Sequence, residues 1–118
     1  MTKKDIWIDL DNPVQLNAID EESQKGLVVI FKHSTSCAIS TMAWSRFNRG
    51  MTDDLPNPVK FYYLDLLNYR VVSNAVAEKY DVRHESPQIL VIFKNQCVHN
   101  ASHMAISFSK VKELNNTN

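Results

Sequence analysis

The sequence predicts an α/β fold in which a four-stranded mixed sheet is flanked by helices. Residues 27–31 and 89–93 are continuous apolar runs bounded by polar or turn-forming residues, as is typical of strands buried on both faces. Around them lie segments whose apolar residues have helical spacing, and this alternation indicates helices packed on a central sheet. A length of 118 residues without repeats or linkers is that of a single domain over residues 1–118.

The first half of the chain predicts two helices around the strand 27–31. Asn12 and Pro13 suit the N-cap and first position of a helix that stops near Gly26. After Cys37, apolar residues recur at positions i, i+3, i+4 and i+8, which predicts a helix ending near Gly50. We expect its buried face to consist of Ile39, Met42, Ala43 and Phe47.

The second half predicts two more helices and three strands. Residues 59–64 are rich in strand-forming side chains, and Asn68 suits the cap of the following helix. The expected inward side of that helix consists of Val71, Val72, Ala75, Val76 and Tyr80. After the strand 89–93, a tight turn at Asn95 and Gln96 predicts an antiparallel edge strand over residues 97–101. The apolar residues of the last short helix are Phe108, Val111 and Leu114.

The order of elements is therefore α, β, α, β, α, β, β, α. Strands separated by helices of this length predict parallel crossovers, whereas the tight turn makes the last pair antiparallel. A four-stranded mixed sheet between helices is the thioredoxin arrangement.

Composition restricts the cellular locations and the binding partners that we expect for this protein. The chain is 44% hydrophobic, and its thirteen basic and thirteen acidic residues cancel. Without a basic footprint we expect no nucleic-acid partner. No apolar run approaches the roughly 20 residues that cross a bilayer, and the N-terminus lacks a signal-peptide apolar region. Cys37 and Cys97 form no CxxC motif, so both are expected to be free thiols of a cytosolic protein.

Cys37 follows a buried strand and opens a helix. A thiol in that place lies near unpaired backbone N–H groups and the positive end of the helix dipole, which both favour the thiolate. Ser40, three residues later, stands where a CxxC motif has its second cysteine. It can hydrogen-bond the thiolate but cannot form an intramolecular disulfide. The alternatives are a small buried hydrophobic role for Cys37 and a plain helix-surface role for Ser40.

Ser86 and Pro87 stand directly before the strand 89–93. From composition alone, an ordinary trans proline is the better interpretation, because only about 5–6% of X–Pro bonds are cis. The fold favours a cis bond, since a cis proline facing the thiol would leave the backbone of the preceding residue free to pair with an extended substrate.

The chain resembles the bacilliredoxin-type YtxJ family of thioredoxin-like proteins, the monothiol bacilliredoxins. Three separated segments carry this resemblance: FKHSTSCAIS, VRHESPQILVIFKNQ and HNASHMAIS. The resemblance runs from about residue 11 to residue 114. It implies that Cys37 is the redox cysteine, that Ser40 occupies the resolving position, and that Ser86 and Pro87 form a cis-proline loop. Ser36, directly before Cys37, is expected to contact the substrate together with Ser86 and Pro87. Ala38 stands where the family usually has proline. The redox potential of Cys37 can therefore differ from that of other family members.

Cys97, His99 and His103 are weaker candidates. Alternation along a strand would place all three on one face, as in a metal site. Their spacing matches no common zinc pattern, so we expect no metal there. A solvated edge strand is the better interpretation, and the resemblance gives the two histidines no role. His33 and His84 are expected in loops.

The leading function is a monothiol thiol–disulfide oxidoreductase. The resemblance implies that Cys37 reduces mixed disulfides between S-thiolated proteins and a low-molecular-weight thiol, bacillithiol, which acts as co-substrate. No bound cofactor is expected. Two alternatives remain open: a non-catalytic thioredoxin-like binding module, and an iron–sulfur carrier that holds a cluster between subunits.

Overall fold

The computed structural model describes residues 6–52 and 54–116. The termini of the predicted domain, residues 1–5 and 117–118, and residue 53 lie outside the described residues. The strands are β1 (Trp7–Asp9), β2 (Leu27–His33), β3 (Val59–Asp65), β4 (Gln88–Phe93) and β5 (Gln96–Ser102). The helices are α1 (Gln15–Ser23), α2 (Ala38–Gly50), α3 (Arg70–Tyr80) and α4 (Phe108–Asn116), with a 3₁₀ turn over His103–Ala105. No helix among the described residues is long and apolar enough to cross a membrane.

The sheet has the strand order β1-β3-β2-β4-β5. Strands β1 and β2 run parallel to β3, whereas β4 is antiparallel to both β2 and β5. The predicted α/β class and the interior positions of β2 and β4 are confirmed. The predicted number of strands is wrong, because β1 adds a fifth. The prediction that every helix-linked strand runs parallel is also wrong, because the chain leaves α3 and enters β4 in the reverse direction.

The sheet separates two hydrophobic layers. One layer packs α2 and α4 against alternate residues of the central strands, including Val29 and Phe31 of β2. The other packs α1 and α3 against the intervening residues, including Val28 and Ile30. All seven residues of β2 are buried, as expected for a central strand covered on both faces.

Helix boundaries and faces differ from the prediction at several points. Helix α1 begins at Gln15 because Asn12 and Pro13 form a preceding turn, in which the side chain of Asn12 accepts a hydrogen bond from the N–H of Val14. The buried face of α2 is Ser40, Ala43, Trp44, Phe47 and Asn48. Ile39 and Met42, predicted to be inside, are 53% and 61% exposed. Val71 of α3 is likewise exposed, whereas Val72, Val76 and Tyr80 are buried as predicted.

The hairpin between β4 and β5 turns at Lys94 and Asn95, one residue earlier than predicted. Both residues have positive φ, at 51° and 66°, which suits a turn that follows the twist of the flanking strands. The expected antiparallel edge strand is present as β5.

Candidate active site at the end of strand β2

Cys37 is the N-cap residue of α2, four residues after the end of β2. Its N–H donates to the carbonyl of Ser34 at 3.2 Å, and its own carbonyl accepts the N–H of Thr41 at 3.0 Å. The side chain is half-buried. The prediction of a partly exposed thiol at the start of a helix is confirmed, and the unpaired N–H groups of the first turn lie where they favour an anion.

The Ser86–Pro87 peptide bond is cis, as the resemblance implied. In the antiparallel ladder Lys32 of β2 pairs with Gln88 of β4. The C-terminal end of β2 and the start of β4 therefore lie at the same edge of the sheet, the edge that is formed by strand ends. The cis-proline loop therefore shares that edge with the turn that carries Cys37. The carbonyl of Pro87 accepts the N–H of His103 at 3.1 Å, which connects the loop to the 3₁₀ turn.

The other two predicted substrate contacts lie in the same two loops. Ser36 is exposed, and its hydroxyl lies 3.4 Å from that of Ser34. The hydroxyl of Ser86 is buried and has no hydrogen-bond partner among the described residues.

Ser40 is fully buried, which excludes the helix-surface interpretation. Its Oγ lies 2.6 Å from Nδ1 of His33 and accepts the N–H of Ser34 at 2.9 Å. Ser40 thus fastens the start of α2 to the end of β2. The partners described for Ser40 Oγ are His33 and Ser34, so these contacts do not test its predicted hydrogen bond to the Cys37 thiolate.

His33 was expected in a loop, but it is the last residue of β2 and is 5% exposed. Its ring stacks on Trp44 with a centroid distance of 5.7 Å and an interplanar angle of 16°. Burial lowers the pKa of His33, while the nearby carboxylate of Asp65 acts in the opposite direction. Alternation along β2 could have indicated this position, because residues 29, 31 and 33 share the face covered by α2.

Lys32 lies on the opposite face of β2 and is fully buried. Its ammonium donates to the carbonyl of Ser73 at 3.3 Å and lies 3.3 Å from Nδ1 of His84. Burial lowers the pKa of Lys32 to about 8. His84, as predicted, is in a loop.

The second thiol lies away from this site. Cys97 pairs with Ile92 near the C-terminal end of β4, at the sheet edge opposite to Cys37. It is half-buried, its Sγ donates to the carbonyl of His99 at 3.2 Å, and burial raises its pKa.

Cys97, His99 and His103 do not share a face, so that prediction is wrong. A register shift between Val91 and Ile92 interrupts the alternation along β5. Cys97 packs against the α1–α3 layer, whereas the charges of α4 act on His99. His103 is in the 3₁₀ turn and lies 3.9 Å from the carboxylate of Glu85. In the described part of the chain, no three potential metal ligands come together.

The surface of α2 beyond Cys37 contains a cavity of about 380 Å³ lined by Thr41, Met42, Ser45, Arg46 and Arg49. Arg46 donates to the carbonyl of Ile106 at 3.0 Å and to that of Met104 at 3.4 Å. These bonds attach the segment after the 3₁₀ turn to α2. No motif in the sequence indicated this role of Arg46.

Comparison with known proteins gives a consistent result. The family model of the monothiol bacilliredoxin BrxC matches residues 8–111. A solved structure described as a proposed oxidoreductase with a thioredoxin fold is 31% identical, covers 92% of both chains and has a TM-score of 0.77. A thioredoxin from Malassezia sympodialis is 14% identical over 99% of this chain and 93% of its own, with a TM-score of 0.70. A Fasciola hepatica thioredoxin is 18% identical over 92% and 96%, with a TM-score of 0.65.

Proposed function

The chain belongs to the monothiol bacilliredoxin family, and from this premise we propose that it reduces mixed disulfides between proteins and the small thiol bacillithiol. The observation that carries the proposal is the setting of Cys37. It is a half-buried thiol at the N-terminus of α2, it shares a sheet edge with the cis-proline loop, and a serine stands at the resolving position. This arrangement supplies one nucleophilic sulfur without an intramolecular partner.

The reaction consists of two thiol–disulfide exchanges. In the first, the Cys37 thiolate attacks the small-thiol sulfur of the mixed disulfide. The protein thiolate leaves and takes a proton, and the small thiol is now bound to Cys37. In the second, another bacillithiol thiolate attacks the sulfur of this adduct, which releases bacillithiol disulfide and restores Cys37. Because Ser40 has no sulfur, an external thiol must carry out the second exchange.

We assign substrate binding to two loops, the one that leads into Cys37 and the cis-proline loop at the same edge of the sheet. Ser36 offers an exposed hydroxyl, and the backbone of Ser86 next to the cis Pro87 is proposed to pair with an extended protein segment. Ile39 and Met42 expose apolar surface on the first two turns of α2, the helix that begins at Cys37. S-thiolated proteins are the proposed partners, and the proposed location is the reducing cytoplasm, where a small thiol can be regenerated.

The test is single-turnover reduction of a protein that carries one S-bacillithiolated cysteine, followed by intact mass. We expect transfer of the bacillithiol moiety to Cys37 in the wild type and none in Cys37→Ser. Cys97→Ser is the matched control, because its thiol lies at the opposite edge, and it should retain most of the activity. A substrate carrying glutathione instead of bacillithiol measures selectivity for the small thiol. Comparable losses in the two cysteine variants would contradict the single-thiol mechanism.

A further inference from the structure

Two groups, one from Ser34 and one from His33, meet at the hydroxyl of Ser40, which has only one proton to donate. The N–H of Ser34 donates to Oγ at 2.9 Å and occupies one lone pair. Nδ1 of His33 lies 2.6 Å from the same oxygen. Either Ser40 donates to an unprotonated Nδ1, or a protonated Nδ1 donates to Ser40 and leaves the hydroxyl proton available to another acceptor. The presence or absence of a proton on Nδ1 of His33 therefore decides where the proton of Ser40 points.

The surroundings of His33 favour a neutral ring. It is 5% exposed, stacks on Trp44 of α2 and contacts the ring of Tyr63 at a centroid distance of 5.9 Å. The titratable side chains that face it are Tyr63 and Asp65 of β3. Burial is the larger influence on the pKa of His33 and lowers it, whereas the charge of Asp65 raises it. A neutral imidazole has one unprotonated nitrogen, and in the tautomer protonated at Nε2 that nitrogen is Nδ1, which then accepts from the buried hydroxyl.

We propose that His33 is a positioning residue for Cys37, which it influences by accepting the only hydroxyl proton of Ser40 and so withholding that proton from the Cys37 sulfur. The inference rests on the proposed function, in which Cys37 attacks as a thiolate. That thiolate is then stabilised by the helix N-terminus without a donor from the resolving position. A thiolate with fewer donors is the stronger nucleophile, because nucleophilicity falls as stabilisation of the anion increases. In this proposal the hydroxyl of Ser40 donates its hydrogen bond to His33 and not to the sulfur of Cys37.

The experiment measures the pH dependence of Cys37 alkylation by iodoacetamide in a Cys97→Ser background, where Cys37 is the only thiol. His33→Phe keeps an aromatic ring against Trp44 but removes the acceptor. We expect about a tenfold larger thiolate fraction at a fixed pH below the midpoint, the order expected for one hydrogen bond to a charged group. Ser40→Ala alone should stay within about twofold of the wild type, and added to His33→Phe it should cancel the increase. His33→Asn, which keeps a polar group near Nδ1, should resemble the wild type.

A matched control is the second buried serine–histidine pair, in which the hydroxyl of Ser73 lies 3.2 Å from Nδ1 of His84 on the other face of the sheet. Ser73→Ala should leave the alkylation profile unchanged. A fall in the thiolate fraction in Ser40→Ala would overturn the proposal, because Ser40 would then already donate to Cys37. An unchanged profile in a folded His33→Phe would also overturn it. If His33→Phe does not fold, Ser40→Ala alone decides. Alkylation requires no disulfide substrate, so this result stands or falls separately from the reductase activity.

Discussion

The ammonium nitrogen of Lys32 lies 3.3 Å from Nδ1 of His84, in the interior between the sheet and α3. Its other acceptor is the carbonyl of Ser73. These are neutral groups, so the positive charge is buried without the compensation that a carboxylate would give. The pKa of Lys32 falls to about 8 for this reason. A charge buried at this cost is a feature that stability measurements can detect.

Lys32→Met should stabilise the protein at neutral pH by about 2 kcal/mol, because methionine has a similar shape and no charge to bury. The pH dependence has a defined sign. Between the folded pKa of about 8 and the unfolded value of 10.5, the unfolded chain holds the proton more strongly, so this group makes wild-type stability rise with pH. The expected rise is about 1 kcal/mol from pH 7 to pH 9. Urea unfolding of both proteins at the two pH values tests it.

Lys25→Met is the control for that prediction, because Lys25 is exposed. It should change the free energy of unfolding by less than about 0.5 kcal/mol at either pH. A loss of stability in Lys32→Met at pH 7 would contradict this prediction. So would a difference in free energy of unfolding between variant and wild type that does not shrink towards pH 9, because burial of the ammonium charge would then not be the destabilising factor.

Gly26→Ala should destabilise the protein by about 2 kcal/mol, the range for overpacking. A Cβ added at Gly26 would lie 2.5 Å from the carbonyl oxygen of Pro58, which is backbone and cannot rotate away. Gly50→Ala is the control: its Cβ would meet Cβ of Phe108 at an ordinary 3.5 Å. Because Gly50 is the last residue of α2, alanine there should be neutral or slightly stabilising. Equal midpoints of thermal unfolding in the two variants would contradict the argument.

The elements that were predicted well from sequence are those that can be identified from their own residues, without knowledge of their tertiary contacts. The runs within β2 and β4 are apolar on both faces, and the helix after Cys37 is amphipathic with either choice of face. The choice itself failed because Ile39 and Met42 are more apolar than Ser40, yet the buried hydroxyl of Ser40 is satisfied by His33 and Ser34. A polar residue can be buried wherever tertiary contacts satisfy it, and those contacts are not visible in local spacing.

Other features depend on long-range pairing. Strand β1 has three residues, and Trp7 becomes a core residue only because β3 pairs with it. The register shift between Val91 and Ile92 separates Cys97 from His99, and a regular period of two cannot foresee it. The position of Cys37 and the cis Ser86–Pro87 bond were predicted, the first from a strand-to-helix boundary and the second from resemblance. The contact between Ser40 and His33 was not, because it joins two elements.

Trp7→Phe tests the importance of the strand that the sequence did not indicate. The Trp7 indole N–H donates to Oδ1 of the buried Asn48 at 2.8 Å, and its ring lies 4.7 Å from that of Trp44. Phenylalanine keeps part of the ring packing but loses the donor, so we expect a loss of about 1–3 kcal/mol in the free energy of unfolding. Ile8→Ala, on the outward side of the same strand, should cost less than about 0.5 kcal/mol. Similar losses in both would mean that β1 contributes by backbone pairing alone.

Ser40→Cys should convert the protein from one that needs an external thiol into one that resolves its own adduct. The introduced thiol would lie where Oγ now contacts Nδ1 of His33, which can accept its proton. The resulting thiolate would attack the Cys37 sulfur of the mixed disulfide, and the small thiol would leave as a thiolate and take a proton from water. We therefore expect release of bacillithiol from the Cys37 adduct without added thiol. The protein left behind should be lighter than the reduced variant by two hydrogen atoms.

Ser45→Cys is the matched control for this conversion, because eight residues along a helix place it about 12 Å from Cys37, beyond the reach of a disulfide. Its adduct should persist until external thiol is added. Combining Ser40→Cys with His33→Phe should slow the release near neutral pH and move its pH dependence upward, since the introduced thiol would lose its proton acceptor. Release by Ser40→Cys that is unaffected by His33→Phe would mean that the imidazole does not act as a base at position 40.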